Sequence, residues 1–396
     1  MERLLIHTPE GVKDTYGAEL SNKKKLGSRI QDAMTSFGYR EIRTPSFEFF
    51  DVFSREVGTT PSKDLFKFFD KEGNTLALRP DFTPSVARCA AKYFLEEPVP
   101  VRLCYEGNAF VNASELQGKL KETTQMGAEL LGDASADADA EMLCLVIEAL
   151  KKTGLERFTV SVGQIDFFKG ICEEAGLEEE LVGELREHIS VKNYFGAEEL
   201  LRQAGVAEHY LKLLSHAGDV CTIEELKEAG KQVSNERSAA AIERLVRVHE
   251  LVDAYGLAEY LSYDLGMLSK FHYYTGVIFK AFTYGVGDAI VKGGRYDRLL
   301  ARFGKDAPAV GCVFLLDDMQ AALSAQGVLK EAAEEVSWIV YDEEGRKEAL
   351  EELHKLREQG RRVSGILYDE KLGRAAYTAA AERDQIKNVR FYGNIG

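Results

Sequence analysis

The side chains that most often carry metal or redox chemistry are scattered along this sequence. Its six cysteines include no CxxC pair, and no two histidines stand at the spacing of metal ligands. His249-Glu250 lacks the second histidine of a zinc-protease helix, so a solvated helix face explains this pair better. We therefore predict no metal site, and we interpret the cysteines as small, buried apolar residues.

The short motifs that usually identify nucleotide-binding proteins and hydrolases are also missing. There is no GxxxxGK[ST] phosphate loop and no GxSxG nucleophile turn. Gly285-Val286-Gly287 has neither the third glycine nor the following acidic residue of a dinucleotide site, so it predicts a turn between strands. These motifs therefore predict no bound cofactor.

The composition restricts the class of partner. The chain has 396 residues, and its 50 Lys+Arg against 65 Asp+Glu give a net charge of −15. A protein that holds a nucleic-acid backbone neutralises several phosphates with lysine and arginine, so this charge argues against a nucleic-acid partner. No apolar run approaches the ~20 residues that span a bilayer. With no secretory signal in MERLLIHTPEGVKD, we expect a cytoplasmic protein without a membrane partner.

The order of predicted elements indicates an α+β protein with more than one domain. Residues 1–323 alternate between strand-like and helical segments, but 168–259 is helical throughout and forms a predicted insertion. Residues 335–396 follow the order strand–helix–strand–helix–strand, typical of a small α/β domain. Thr83 followed by Pro84 predicts a helix N-cap and first helical residue.

Seven segments of the chain together resemble the catalytic core of histidyl-tRNA synthetases. In order they are TPEGVKD, FGYREIRTPSFE, LALRPDFTPSVAR, QMGAELLG, YYTGVIF, GGRYDRL and APAVG. The resemblance runs from about His7 to Leu323 and places the C-terminal α/β unit where those enzymes carry their anticodon-binding domain. It implies a class II aminoacyl-tRNA synthetase-like antiparallel sheet core with flanking helices.

Three positions depart from the synthetase pattern in a way that affects chemistry. The family places an arginine after the phenylalanine of its second motif, one in its RGLDYY segment and one near the end of its third motif. This sequence has Val111, Ser269 and Asp318 there. Arginines hold phosphates through planar, bidentate contacts, and one such arginine is worth ~10³–10⁵ in rate in phosphoryl-transfer enzymes. Lys270 does not reproduce a guanidinium fork, so we predict no adenylation activity and assign no catalytic residue.

The positions that hold the amino acid in the synthetase family are kept, which implies a histidine site. The resemblance assigns one pair to the substrate ammonium, a second pair to the ammonium and the imidazole, and two tyrosines to the wall around the ring. Carboxylates suit an ammonium and an imidazole N–H, and aromatic side chains suit the ring. The six residues are Asp81, Thr83, Gln125, Glu129, Tyr274 and Tyr296. His272, where synthetases have aspartate, is a further departure.

A synthetase-like core with an amino-acid pocket and without these arginines is similar to the regulatory subunits of ATP phosphoribosyltransferase. This resemblance implies a partner, the short-form catalytic subunit, which performs the first step of histidine biosynthesis. It also implies a hetero-octamer in which regulatory chains dimerise through the core and mediate feedback by histidine. The chain has no acidic pair leading into a Thr-Gly phosphate loop, so we expect ribosyl transfer on the partner. The tail from about Glu335 departs from a family that often stops near the end of the core.

The sequence leaves alternatives open. A divergent, working histidyl-tRNA synthetase is one, and a histidine-binding adaptor of another partner is a second. Each site residue also has a purely structural explanation: Thr83 as a helix cap, Glu129 as the partner of a lysine, and Tyr274 and Tyr296 as core aromatics. The occurrence of all six in family order favours the histidine site.

Overall fold

The computed structural model describes residues 6–54, 60–94, 96, 100–112, 120–268, 273–329, 336–384 and 386–395. Contacts between Cα atoms divide the chain into two compact units, one of residues 1–14 and 23–329 and one of residues 15–22 and 330–396. None of the described helices is long and apolar enough to cross a membrane.

An eight-stranded sheet forms the centre of the first unit, in the order β1-β5-β6-β11-β10-β9-β7-β8. Its strands are β1 (Arg40–Glu41), β5 (Val101–Phe110), β6 (Glu122–Leu131), β7 (Phe158–Gln164), β8 (Leu261–Tyr263), β9 (Val277–Thr283), β10 (Val291–Arg295) and β11 (Ala309–Leu315). The central pairings are antiparallel, as predicted, whereas the two outermost pairings, β1 with β5 and β7 with β8, are parallel.

The helices along this part of the chain are α1 (Gly17–Ser36), α2 (Thr83–Tyr93), α3 (Ala136–Thr153), α4 (Ile165–Glu174), α5 (Glu179–Ser190), α6 (Tyr194–Gln203), α7 (Glu208–Ser215), α8 (Ile223–Gly230), α9 (Glu236–Ala254) and α10 (Leu316–Ala325). Most of them lie over one face of the sheet, whereas α2 packs on the opposite face, in a core cluster with Leu103, Tyr105 and Tyr296. Among them α3 packs on β10 and β11, and α9 packs on β7. The segment predicted as a helical insertion contains most of α4 and all of α5 to α9.

The alternation of side chains along β6 shows how the two faces of the sheet differ. Met126, Ala128 and Leu130 belong to the large core cluster beneath the helices. Gln125 and Glu129, which point to the opposite face, line a cavity. The sheet therefore has an apolar face covered by most of the helices and an opposite face, the open face, which carries α2 and the polar side chains of the cavity.

Helix α3, beneath the sheet, is capped at both ends. Ser135 caps its first turn by accepting a hydrogen bond from the backbone N–H of Ala138, and Gly154 ends it with φ = 94°, a conformation that favours glycine. Most of its side chains are buried, because it lies between the sheet and α9. It thus supports the sheet from the face opposite the cavity.

A small separate sheet in the same unit has the order β2-β4-β3, from β2 (Phe47–Phe49), β3 (Lys67–Phe69) and β4 (Thr75–Leu78). Strands β3 and β4 form an antiparallel hairpin, with the segment KEGN in its turn. Gly285-Val286-Gly287 lies in the turn between β9 and β10, as predicted.

The second unit contains a three-stranded parallel sheet with the order β13-β12-β14. Its elements are β12 (Val336–Tyr341), α11 (Arg346–Glu358), β13 (Arg362–Leu367), α12 (Gly373–Arg383) and β14 (Asn388–Tyr392). This is the strand–helix–strand–helix–strand order predicted for 335–396.

Candidate functional site

A cavity of about 200 Å³ lies on the open face of the eight-stranded sheet, beside the start of α2. It is smaller than the roughly 300–1,000 Å³ clefts that take drug-sized ligands, so it suits a small molecule such as one amino acid. All six residues predicted for the histidine site line it: Asp81, Thr83, Gln125, Glu129, Tyr274 and Tyr296. The sequence separates these residues widely, and the fold brings them together.

Glu129 lies at the floor of the cavity with only 1% of its surface exposed. Its Oε1 accepts a hydrogen bond from Thr83 Oγ1 at 3.0 Å, and its Oε2 accepts one from the Tyr296 hydroxyl at 2.5 Å. Burial raises the pKa of Glu129 to about 8, although the two hydrogen bonds oppose this shift. The carboxyl is therefore held in place by neutral donors.

Asp81 and Gln125 present unused acceptors. Asp81 Oδ1 accepts from the backbone N–H of Thr83 at 3.0 Å. Asp81 Oδ2 and Gln125 Oε1 are buried and find no hydrogen-bond partner within the described part of the chain. Burial raises the pKa of Asp81 to about 7. A buried acceptor without a donor costs free energy, so both atoms are suited to a ligand that brings N–H groups.

Aromatic rings form the walls. Tyr273 and Tyr274 lie with ring centroids 4.5 Å apart, and Tyr273 meets Tyr296 edge-on at 5.8 Å. Phe82 stacks on Tyr105 at 4.3 Å. Both of these rings line the cavity too. This arrangement is suited to a flat, partly apolar group.

Gly311 permits the close approach of β11 to Glu129. The two residues are opposite each other in the β6–β11 register. A Cβ at position 311 would lie 1.6 Å from Glu129 Oε2. The carboxylate thus occupies the space that any other side chain at 311 would take.

The structural alternatives for two site residues are wrong. Thr83 is not the N-cap, because α2 is preceded by Phe82 as its cap residue and no side-chain capping bond is formed. The hydroxyl of Thr83 points to Glu129 instead. Glu129 is bound by Thr83 and Tyr296 rather than by a lysine. Both side chains belong to the cavity.

Of the three positions that depart from synthetase arginines, Val111 lines the cavity. Asp318 lies in the first turn of α10. Ser269, with Lys270 and His272, lies outside the described residues. An apolar side chain therefore stands on the cavity wall where the synthetase pattern has a guanidinium group.

Sequence reasoning missed other cavity residues and misjudged one histidine. Tyr105 and Lys292 line the cavity, and strand alternation around Gly127 and Gly294 could have pointed to their shared face. His249 is not simply a solvated helix residue, since its Nδ1 lies 2.8 Å from the Tyr263 hydroxyl. Within the described residues, no three His, Cys, Asp or Glu side chains are grouped so that they could hold a metal ion.

Comparison with known proteins agrees with the geometry. The family model described as histidyl-tRNA synthetase matches residues 11–319. A protein of Acetivibrio thermocellus named ATP phosphoribosyltransferase regulatory subunit is 42% identical over 356 residues, which cover 89% of this chain and 84% of that protein. This chain belongs to the family of ATP phosphoribosyltransferase regulatory subunits. The resemblance inferred from the sequence is thereby confirmed.

Solved structures place these regulatory subunits beside the synthetases in fold. A Bacillus halodurans structure described as an ATP phosphoribosyltransferase regulatory subunit/histidyl-tRNA synthetase matches with a TM-score of 0.87 and 29% identity, covering 98% of each chain. The histidyl-tRNA synthetase of Nostoc matches with a TM-score of 0.79 at 19% identity, covering 96% of this chain and 90% of that one, and so shares the fold. The predicted class II synthetase-like fold is confirmed.

Proposed function

We propose that this chain is a non-catalytic regulatory subunit of ATP phosphoribosyltransferase and that free histidine binds in the cavity of Glu129. The observation that carries the proposal is the cavity itself. It joins two buried carboxyl groups to an aromatic wall, and it has Val111 where a synthetase would hold ATP with an arginine. Such a site suits an amino acid better than a nucleotide.

The polar groups of the cavity match those of histidine one by one. Asp81 Oδ2 and Gln125 Oε1, which lack donors within the described residues, accept from the α-ammonium. Glu129 accepts from an imidazole N–H, and the rings of Tyr274 and Tyr296 enclose the imidazole. Hydrogen bonds to charged groups contribute about 1.5–3 kcal/mol each, enough to select this ligand over an apolar amino acid.

The absence of adenylation chemistry follows from electrostatics. Joining a carboxylate to the α-phosphate of ATP brings anions together, and preorganised cations must offset the charge that develops. Val111 offers no charge, and Asp318 carries the wrong sign. Feedback then requires only binding, because histidine shifts the complex toward the conformational state that has the higher affinity for histidine. A coupling of about 1–3 kcal/mol is ordinary for such a switch.

The names of the relatives support a catalytic ATP phosphoribosyltransferase as the partner. We propose the short-form catalytic subunit, in a hetero-octamer whose regulatory chains dimerise through the core of residues 1–323, with 168–259 as an insertion and 335–396 as a separate domain. We also propose the cytoplasm as its location. All six cysteines, each of which the structure describes, are free thiols, as is usual in a reducing compartment.

Reconstitution tests the proposal directly. The purified chain is mixed with a short-form ATP phosphoribosyltransferase, and the formation of the phosphoribosyl product is followed with and without histidine. We expect the chain to raise the activity and to make it sensitive to histidine. A complex with unchanged activity and no histidine sensitivity would contradict the proposal.

The two alternatives predict different results. A working synthetase would give histidine-dependent exchange between ATP and pyrophosphate, which we expect to be at background. A histidine-binding adaptor of another partner would bind histidine in a calorimeter yet leave the phosphoribosyltransferase unaffected. The three measurements on one preparation therefore separate the three functions.

A further inference from the structure

The charges that line the cavity are unbalanced for a zwitterion. Within the described residues, the lining carries two carboxyl groups, on Asp81 and Glu129, and one cation, on Lys292. Histidine brings an ammonium and an imidazole that suit the carboxyls, but also an α-carboxylate that needs a cation or several donors. Lys292 is the charged group of the described lining that can meet it.

The register of the sheet places Lys292 at a suitable separation from Glu129. Glu129 is opposite Gly311, and Gly311 is opposite Gly294. Lys292 lies two residues before Gly294 and so on the same face. Its Cα is then roughly 10 Å across the strands and roughly 7 Å along them from that of Glu129. Two long side chains that approach from these positions leave space for one amino acid between them.

The ion pair that Lys292 forms in this structure is weak. Its Nζ lies 3.3 Å from Asp288 Oδ2, and the side chain of Asp288 is 63% exposed. Partly exposed ion pairs of this kind contribute little, because water screens them. The ammonium can therefore leave Asp288 for a better-shielded anion at little cost.

Lys280 strengthens the positive potential at this point. It is directly opposite Lys292 in the β9–β10 pair, and like charges directly opposite each other are destabilising. Within the described part of the chain Lys280 forms no ion pair with a carboxylate. Burial lowers the pKa of Lys280, and the neighbouring charge of Lys292 adds to this. An anion near both ammonium groups would relieve the repulsion.

We propose that Lys292, supported by Lys280, binds the α-carboxylate of the amino acid in the cavity. The inference rests on the proposed histidine site and adds to it the group that distinguishes an amino acid from an amine.

Calorimetry with histidine and histamine tests the inference, since histamine has the ammonium and the imidazole but no carboxylate. The variants are Lys292→Met and Lys292→Arg, with Lys270→Met as the matched control at the synthetase-like position. We expect Lys292→Met to weaken histidine binding by roughly 10–100-fold and to leave histamine binding within about twofold. Lys292→Arg retains most of the preference for histidine, and Lys270→Met retains all of it.

The outcomes separate this inference from the proposed function. If Lys292→Met weakens the binding of histidine and histamine equally, the role of Lys292 is wrong, although histidine remains the ligand. The same conclusion follows if Lys270→Met, rather than Lys292→Met, loses the preference for histidine over histamine. If the unmodified chain binds neither compound, the proposed ligand is wrong and the role of Lys292 is wrong with it. Asp288→Asn gives a second check, because removal of the competing carboxylate should tighten histidine binding by a small factor.

Discussion

Two buried carboxyl groups lie on opposite faces of the same sheet and have opposite surroundings. On the helix-covered face, the side chain of Asp139 is fully buried and forms ion pairs with Arg295 and Arg244, both at 2.7 Å. On the open face, Glu129 is buried to a similar degree, but its partners are the hydroxyls of Thr83 and Tyr296. The carboxylate of Asp139 is therefore paired with cations of the protein itself, and the carboxyl of Glu129 is not.

The difference separates structure from ligand binding. The Asp139 pairs join three elements, since Asp139 is on α3, Arg295 on β10 and Arg244 on α9. They fix α3 and α9 to the sheet. The carboxyl of Glu129 also joins three segments, but through the neutral hydroxyls of Thr83 and Tyr296. Neither Glu129 nor Asp81 forms an ion pair within the described residues. A buried carboxyl group that the protein itself leaves without a cation is one that a cationic ligand can pair with.

The largest effect is expected for Asp139→Asn. The change leaves two arginines without their carboxylate, and the side chain of Arg295 is only 6% exposed. Breaking a buried ion pair on one side costs about 3–5 kcal/mol. Urea unfolding followed by far-ultraviolet circular dichroism should show this loss. The single tryptophan, Trp338, lies in the other unit, so its fluorescence transition serves as an internal control and should move little.

The same chemical change at Glu129 should act on binding instead. Glu129→Gln keeps the shape of the side chain, and the hydroxyls of Thr83 and Tyr296 can each donate or accept. We expect unchanged or slightly higher stability and roughly 10–100-fold weaker histidine binding by calorimetry. A large loss of stability with normal histidine affinity would reverse the comparison between the two faces.

Some features of the two faces could be predicted from the sequence, and others could not. The strands and long helices follow from hydrophobic alternation and periodicity, and the six cavity residues follow from the order of their motifs. Thr83 looked like a helix cap because its true partner, Glu129, is distant in sequence. Lys292 and Tyr105 were missed because their place in the cavity depends on register between strands, which local patterns do not encode.

The Asp139 network was missed for the same reason, since its three members come from three separate elements. The strand β8, of only three residues, was also not predicted, because so short a segment shows no alternation. These features depend on pairing between residues that are distant in the chain, so local propensity could not predict them.

An intermediate effect is expected for Gly311→Ala, which tests how closely the open face is packed around Glu129. The added Cβ would lie 1.6 Å from Glu129 Oε2, so the carboxyl must move. We expect a loss of about 1–3 kcal/mol in stability and weaker histidine binding. Gly287→Ala is the control, because a Cβ there meets no atom within 4 Å. Equal behaviour of the two variants would show that the approach of β11 to Glu129 is unimportant.

The pH dependence of stability gives a smaller signal that is specific to the open face. Burial raises the pKa of Glu129 from 4.5 to about 8, so between these values the folded state binds more protons than the unfolded state. Stability from this group is complete below pH 4.5 and is lost as the pH rises toward 8. Burial also raises the pKa of Asp139, so the test is a difference between proteins. Glu129→Gln should flatten the decline by up to about 1.4 kcal/mol per pH unit, measured by urea unfolding at several pH values. Parallel curves for the two proteins would contradict a neutral Glu129.

The smallest effect is expected where a carboxylate is neither buried by the fold nor placed in the cavity. Glu228 pairs with Lys231 at 2.7 Å on the surface of the insertion, and the two side chains are 60% and 71% exposed. Water already solvates both charges, so Glu228→Gln should change the free energy of unfolding by no more than about 0.5 kcal/mol and leave histidine binding unchanged. The same acid-to-amide change thus yields a stability loss at Asp139, a binding loss at Glu129 and neither at Glu228. A marked effect at Glu228 would mean that the environment of the carboxylate does not govern the outcome.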